Sequence, residues 1–176
     1  MTLPRKLLSF RRGSEKDAAD LAALHTAAAR HLTDIHGSGP WSSRTTEKGI
    51  LFALRHSSVI ILQEGEKIVA TLRLASKKPW AIDPSYFTKC RKPVYLLAMA
   101  VVPARQRQGI GKKCLDEAER IAVTMGADAI RLDAYDAAAG AGGFYKRCGY
   151  AETGRVTYRN APLVYYELLL RNGGGA

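Results

Sequence analysis

The stretch "VYLLAMAVVPARQRQGIGKKC", residues 94–114, decides the fold. It starts as an unbroken apolar run, which is typical of a strand buried on both faces in the middle of a sheet. The run stops at Pro103, and a short basic loop with glycines at 109 and 111 follows. Residues 109–125 then carry apolar side chains at helical spacing, with i,i+4 charge pairs on the outer face. The stretch therefore predicts a central strand, a tight loop and an amphipathic helix.

This loop has the features of an anion-binding site. The first turn of a helix leaves backbone N–H groups unpaired, and they point toward any anion placed at the N-terminus. Glycines let a phosphate approach those amides because they carry no side chain. Cations crowd the same place, namely Arg105, Arg107, Lys112 and Lys113. A pyrophosphate is the natural occupant.

Two well-known phosphate loops do not match these residues. A Walker loop needs a glycine five residues before Gly111, where Gln106 stands, and a Ser or Thr where Lys113 stands. A dinucleotide fingerprint needs a third glycine where Cys114 stands. The loop thus belongs to neither class.

The rest of the chain is predicted to alternate between helices and strands around this centre. Gly-rich and Pro-rich stretches mark the turns, and β-branched runs mark the strands. The segment 79–92 interrupts the pattern as an insertion, either a lid over a substrate site or a decoration. The predicted strands are 6–10, a hairpin within 58–78, 94–102, 128–135 and 162–170, and the predicted helices are 15–31, 44–56, 109–125 and a short one within 138–148.

Length and composition are those of one globular domain. The 176 residues (19.2 kDa) are 47% hydrophobic and 24% charged, which is an ordinary globular balance. We expect a single domain over residues 1–176, with a core at about 6–170 and a flexible tail at 171–176. The net charge of +11 and the pI near 9.8 predict attraction to an anionic partner.

Several function classes are excluded by what the sequence lacks. No signal-like N-terminus is recognised, and the longest apolar stretch, 11 residues within 94–104, is well short of the roughly 20 needed to cross a bilayer. We therefore expect a cytoplasmic protein with no membrane partner. The 3 cysteines and 4 histidines lack the spacing of a disulfide framework or a metal site, so no metal is predicted.

Two motifs together resemble one enzyme family. The loop Gln106-Arg107-Gln108-Gly109-Ile110-Gly111 resembles the Gln/Arg-x-x-Gly-x-Gly/Ala signature of the GNAT superfamily of acetyl-coenzyme A dependent N-acetyltransferases. "FYKRCGY", residues 144–150, is similar to the family's Tyr-x-x-x-Gly-Phe segment. The resemblance covers about residues 6–170. It implies an α/β fold with a mixed, mostly antiparallel central sheet flanked by helices and splayed between the central strand and residues 128–135.

The resemblance also implies a site with acetyl-CoA as co-substrate. The backbone of Met99, Ala100 and Val101 would pair with the pantetheine arm. Tyr145 would be the catalytic residue, donating a proton to the leaving thiolate, since a phenol with a pKa near 10 can protonate a thiolate whose thiol has a pKa near 8.5. The pyrophosphate would be held by the loop, that is, by Gln106, Arg107, Gln108, Gly109, Ile110, Gly111 and Lys112.

The sequence departs from the family pattern at two places. An asparagine common before the catalytic tyrosine is replaced by Ala138, so Asp136 or a water would have to take its place. The glutamate that many members carry on the central strand is absent, because "YLLAMAVV" has no acid. The general base is therefore unassigned. The candidates are a water chain or one of Asp133, Asp136, Glu47 and Asp83.

The predicted activity is acetyl transfer from acetyl-CoA to a primary amine of a small molecule or peptide, by direct attack of the amine. One alternative is a basic nucleic-acid or ribosome-associated binding protein, although no RNA- or DNA-binding motif is recognisable and the densest cationic cluster is explained by coenzyme phosphates. Another is a catalytically silent CoA-binding GNAT domain. A homodimer is possible if the strand 162–170 pairs at an edge between subunits.

Overall fold

The computed structural model of the protein describes residues 7–171. Seven strands form one sheet in the order β1-β2-β3-β4-β5-β7-β6. The elements along the chain are β1 (Leu8–Arg12), α1 (Ala18–His36), α2 (Glu47–His56), β2 (Ser58–Glu64), β3 (Lys67–Ala75), β4 (Pro93–Val101), α3 (Ile110–Thr124), β5 (Ala129–Tyr135), α4 (Gly142–Arg147), β6 (Ala151–Tyr158) and β7 (Ala161–Leu169). Within residues 7–171, β4 and β5 pair in parallel and all other strand pairs are antiparallel. The predicted mixed, mostly antiparallel sheet is confirmed.

The sheet splays open between its central strands. β4 and β5 pair only where Pro93 to Tyr95 face Ala129 to Arg131. Beyond Tyr95, β4 remains bonded to β3 but not to β5, and its register against β3 shifts between Thr71 and Arg73. Ala98, within this bulge, has a φ of 48°, which bends the strand away. A wedge therefore opens between the C-terminal halves of β4 and β5, as the sequence predicted.

Helices cover both faces of the sheet. Alternation along β2 places Ile60 and Leu62 in the core beneath α3, and Val59 and Ile61 in the core beneath α1 and α2. These side chains are at most 6% exposed. Because both faces are covered, the central part of β2 and most of β4 are continuous apolar runs that do not alternate with polar residues.

The first two helices differ from their predicted bounds at the ends. α1 begins at Ala18, after a 3-10 turn at Glu15–Asp17, and continues to His36, five residues past the predicted end. α2 begins at Glu47 because the Thr46 hydroxyl accepts a hydrogen bond from the Gly49 amide, at 3.1 Å.

Two predictions about the C-terminal strands need correction. The strand β6 was not predicted, since its residues are mostly polar and half-exposed. The strand β7 was expected to offer an edge for a homodimer, and this is wrong, because β7 lies between β5 and β6 and is paired along both sides. The tail residues 172–176 lie outside the described residues. Among residues 7–171, no helix combines the length and apolar character needed to span a membrane.

The segment 79–92 is attached to the sheet at several points. Ile82 and Phe87 are buried against Tyr165 of β7. The Tyr165 hydroxyl accepts from the Asp83 amide at 3.1 Å and donates to the Ala81 carbonyl. These contacts make the segment part of the folded domain.

Candidate active site

The loop between β4 and α3 ends in an array of unpaired backbone amides. Its first part is bonded internally, since the amides of Arg105 and Gln106 donate to Val102 and Pro103 at 2.9 and 3.2 Å. The first intrahelical bond runs from the Lys113 amide to the Gly109 carbonyl, at 3.2 Å. Between these points, and within residues 7–171, the amides of 107–112 donate no hydrogen bond of ordinary geometry. The predicted cradle therefore begins at Arg107, because the amide of Gln106 is already used.

Gln106 has a different role in the loop. Its side-chain Nε2 donates to the carbonyl of Val101 at 3.1 Å, so it ties the loop to the end of β4. Arg107 and Gly109 then take left-handed conformations, with φ of 58° and 78°. These turns direct the free amides outward at the start of α3.

The cations around the loop are not equally available. Arg105 pairs with Glu64 at 2.6 Å and also donates to Gln108 at 3.0 Å. Lys112 pairs with Asp116 one turn along α3. Arg107 and Lys113 are exposed, and among the described residues neither has an acidic partner. The free positive charge nearest the amides is therefore that of Arg107.

Gly111 brings the sequence-predicted parts of the site together. A Cβ atom placed there would lie 2.9 Å from the Phe144 ring and 3.4 Å from the Met99 side chain. Only a glycine lets α3 approach α4 and β4 this closely. The amide loop, the strand segment Met99 to Val101 and the residues around Tyr145 thus meet at one end of the wedge.

The strand segment has one side free for a ligand. Ala100 and Val101 face Thr71 and Ala70 on β3. On their other side they have no strand partner among residues 7–171, because β5 has already diverged. Apart from the Val101 carbonyl, which accepts from Gln106 Nε2, an extended ligand could pair with this side in the way that a further strand would.

Tyr145 lies on α4 beside the wedge. Its ring is 9% exposed and contacts Tyr150 and Tyr166, with ring centroids 5.8 and 5.9 Å away. Its hydroxyl makes no hydrogen bond within residues 7–171, yet it is not among the fully enclosed unpaired atoms, as the Tyr150 hydroxyl is. Burial, and then the charge of Asp133, raise the pKa of Tyr145 above its usual value near 10. The hydroxyl therefore stays protonated at neutral pH and carries a proton that it can donate.

The structure gives different surroundings to the four acidic residues that the sequence offered as candidates for the general base. Asp136 is held by Arg155 at 3.0 Å, and Asp83 accepts from the Ser85 amide at 2.9 Å. Glu47 is exposed in the first turn of α2. Asp133 is different, since it lies on β5 beyond the last residue paired with β4, and burial raises the pKa of its carboxyl.

A cavity of about 170 Å³ lies on the opposite side of β4 from α3. It is formed by α1, α2, β2 and β3, and reaches the bulge residue Ala98. Its polar lining includes Arg73 and His25, which sequence reasoning did not single out. Neither belongs to a local motif, so no sequence signal marked them.

Comparison with known proteins agrees with this geometry. Residues 23–150, more than half of the chain, match the profile of the acetyltransferase (GNAT) family. The chain therefore belongs to the acetyltransferase (GNAT) family. No match to it is found among curated proteins.

Solved structures share the fold. The GCN5-related N-acetyltransferase from Rhodopseudomonas palustris has a TM-score of 0.71 at 20% identity, covering 97% of this chain and 100% of the other. The ribosomal-protein-S18-alanine N-acetyltransferase from Escherichia coli has a TM-score of 0.69 at 15% identity, and the match covers 96% of this chain and 97% of the other. The protein yncA from Salmonella typhimurium, solved with its cofactor acetyl-CoA, has a TM-score of 0.68 at 17% identity, and the match covers 96% of each chain.

Proposed function

We propose that this protein is an N-acetyltransferase that moves an acetyl group from acetyl-CoA to a primary amine of a small molecule or peptide, by direct attack. The observation that carries the proposal is the run of free amides from Arg107 to Lys112 at the open end of the wedge. Unpaired amides at a helix N-terminus bind a pyrophosphate by hydrogen bonds and by the helix dipole. The yncA structure, with acetyl-CoA present and the same fold, supports this assignment.

The residues of the site fit each part of such a ligand. The free amides and Arg107 would hold the pyrophosphate. The free side of Met99, Ala100 and Val101 would hold the pantetheine arm, which then ends beside Tyr145. Acetyl-CoA supplies a thioester that a neutral amine can attack, so the protein's tasks are orientation and the movement of two protons. Tyr145 would supply one proton to the sulfur.

Asp133 is the best-placed group to accept the other proton. Leu132 and Ala134 belong to the core beneath α3, so alternation along β5 directs Asp133 to the opposite face. There its cross-strand partner Tyr165 packs against Ile82 and Phe87 of the segment 79–92. No cation within the described residues pairs with its carboxyl. Its charge also raises the pKa of Tyr145.

Binding of acetyl-CoA tests the proposal directly. Acetyl-CoA should raise the melting temperature of the protein in a concentration-dependent manner. Arg107→Glu should weaken this binding by about 5- to 30-fold, because two units of exposed charge are changed near the phosphates. Arg159→Glu is a matched control, since Arg159 has the same charge, is exposed and has a similar φ of 49° in the distant β6–β7 turn. No shift with acetyl-CoA, or equal loss in both variants, would contradict the proposal.

A second prediction concerns Asp133. Asp133→Asn should lower the turnover number by about 10²–10⁴-fold without changing acetyl-CoA affinity, because a general base is lost. Wild-type activity should fall as the pH drops through the pKa of Asp133, which lies above its ordinary value of 3.8, and this limb should vanish in the variant. The exposed Asp20 provides the control Asp20→Asn.

The variant Asp133→Asn should gain stability at neutral pH even though it loses activity. Because folding raises the pKa of this carboxyl, the folded state binds its proton more tightly than the unfolded state. The contribution of this proton to folding stability is fully present when the pH is below the pKa of Asp133 in the unfolded chain. It is lost as the pH rises through the pKa of Asp133 in the folded protein. Asp133→Asn should therefore melt at a higher temperature than wild type at neutral pH, and this advantage should disappear below about pH 4. An unchanged melting temperature at neutral pH would count against a desolvated carboxyl.

A further inference from the structure

Arg73, near the C-terminal end of β3, is a half-buried cation without a partner among the described residues. Within residues 7–171 its guanidinium makes no hydrogen bond or ion pair, and its Nε atom is fully enclosed and unpaired. Burial lowers its pKa. Removing a cation from water without pairing it is unfavourable for folding. The unpaired guanidinium of Arg73 therefore does not stabilise the fold. A role in binding a ligand would explain why it is there.

The contrast with Arg131 shows that the sheet can pair a buried arginine. Arg131, on β5, donates from Nε to Glu167 at 2.9 Å and from Nη2 to the Thr88 carbonyl at 2.6 Å. Its side chain and that of Glu167 are 5% and 3% exposed. Arg73 has no equivalent of Glu167 among the described residues.

Arg73 lines the cavity of about 170 Å³. A single water needs about 10–15 Å³ of such volume, so a group of several non-hydrogen atoms fits. No acid lines the cavity among the described residues. Burial and the charge of Arg73 both lower the pKa of His25, which keeps its imidazole neutral. The remaining lining residues are small, apolar or hydroxyl-bearing, and Thr45 and Ala98 are among them.

The cavity is next to the part of the site where acetyl transfer is proposed. Ala98 lines it, and Ala98 immediately precedes the strand segment Met99 to Val101. It lies on the side of the sheet that α1 and α2 cover. A molecule with one end at Arg73 would therefore have its other end near the thioester.

We infer that the acceptor is a small amine that also carries a carboxylate, and that Arg73 binds this carboxylate in the cavity. The inference rests on the proposed function and adds the substrate class. A guanidinium can bind a carboxylate through two parallel N–H···O hydrogen bonds. Because the guanidinium of Arg73 has no other partner among the described residues, it need not break an existing contact to form them. The Thr45 hydroxyl and neutral His25 add uncharged hydrogen-bonding groups. The same positive charge repels polyamines, which carry only cations.

Matched substrates test the inference. The probes are the twenty standard α-amino acids and the carboxamide of each, with acetyl-CoA and detection of the free thiol. We expect acids to be acetylated with at least about tenfold higher kcat/KM than their amides, since one charged hydrogen-bonded contact is lost. Equal turnover of acids and amides, including none of either, overturns the inference. Faster turnover of aminoalkyl phosphates than of amino acids also overturns it and assigns the cavity to phosphate.

The variant Arg73→Met separates a ligand role from a structural one. We expect it to melt about 2–4 °C above wild type, because an unpaired cation is replaced by an apolar chain. Its KM for the preferred amino acid should rise at least tenfold while acetyl-CoA still raises its melting temperature, and Arg73→Lys should recover part of the loss. Arg131→Met, the paired counterpart, should melt below wild type. A lower melting temperature for Arg73→Met, or an unchanged KM, contradicts the inference.

These results also distinguish the two proposals. If acetyl-CoA does not bind wild type, the proposed function fails, whatever Arg73 does. If acetyl-CoA binds and amines without a carboxylate are the better acceptors, only the assignment of Arg73 fails.

Discussion

Replacing Tyr145 by phenylalanine is expected to slow acetyl transfer by about 10²–10⁴-fold while acetyl-CoA affinity stays nearly unchanged. The hydroxyl makes no hydrogen bond within residues 7–171, so its loss breaks no structural contact. The ring, which packs against Tyr150 and Tyr166, is retained in the variant. The measurement is the turnover number with the preferred amine, together with a titration of acetyl-CoA.

Tyr150→Phe is the matched control for this experiment. Tyr150 is 3% exposed and its ring lies 5.8 Å from that of Tyr145, but its hydroxyl is enclosed and unpaired. Removing an unpaired buried hydroxyl should leave turnover unchanged and raise the melting temperature slightly. If Tyr145→Phe retains wild-type turnover, or if both variants lose it equally, Tyr145 does not protonate the leaving thiolate.

The largest effect on stability is expected from Arg131→Met. This change leaves the Glu167 carboxylate buried with only one remaining donor, the Thr88 amide at 3.1 Å. Breaking a buried pair in this way costs about 3–5 kcal/mol of unfolding free energy. For a domain of this size that corresponds to a melting temperature lower by roughly 6–20 °C. Thermal unfolding followed by circular dichroism measures the shift.

Two further variants show whether the cost comes from the unpaired charge. The double variant Arg131→Met with Glu167→Leu should recover much of the lost stability, because no charge is then left buried. Arg155→Met, which removes an exposed ion pair with Glu152 and Asp136, should change the melting temperature little. A double variant as unstable as Arg131→Met alone would mean that the cost lies in packing.

Local patterns in the sequence were enough for the central part of the fold. The apolar run and the amphipathic helix predicted β4 and α3, observed at Pro93–Val101 and Ile110–Thr124. The wedge beside β4 followed from the family resemblance and is confirmed. The amide loop also lies where the sequence placed it, except that the structure uses the Gln106 amide internally.

The elements that were missed depend on distant partners. The strand β6 has a mostly polar, half-exposed sequence, and it is a strand because β7 pairs along it from Tyr158 to Ala151. The close approach of Tyr86 to Gly154, where an added Cβ would lie 2.2 Å from the ring, also depends on the segment 79–92 lying on the sheet. Neither feature has a local pattern that could predict it.

The sequence by itself predicted the glycine-containing loop before α3, because its glycines and its helix are consecutive residues whose geometry is local. It also determined the family, through two motifs within continuous stretches. Only the tertiary structure decided the cavity beside β4, where α1, β3 and β4 bring His25, Arg73 and Ala98 together. The physical reason is that burial and pairing depend on distances between remote residues. No pattern along the chain could show that Arg131 meets Glu167 whereas Arg73, among the described residues, meets no acid.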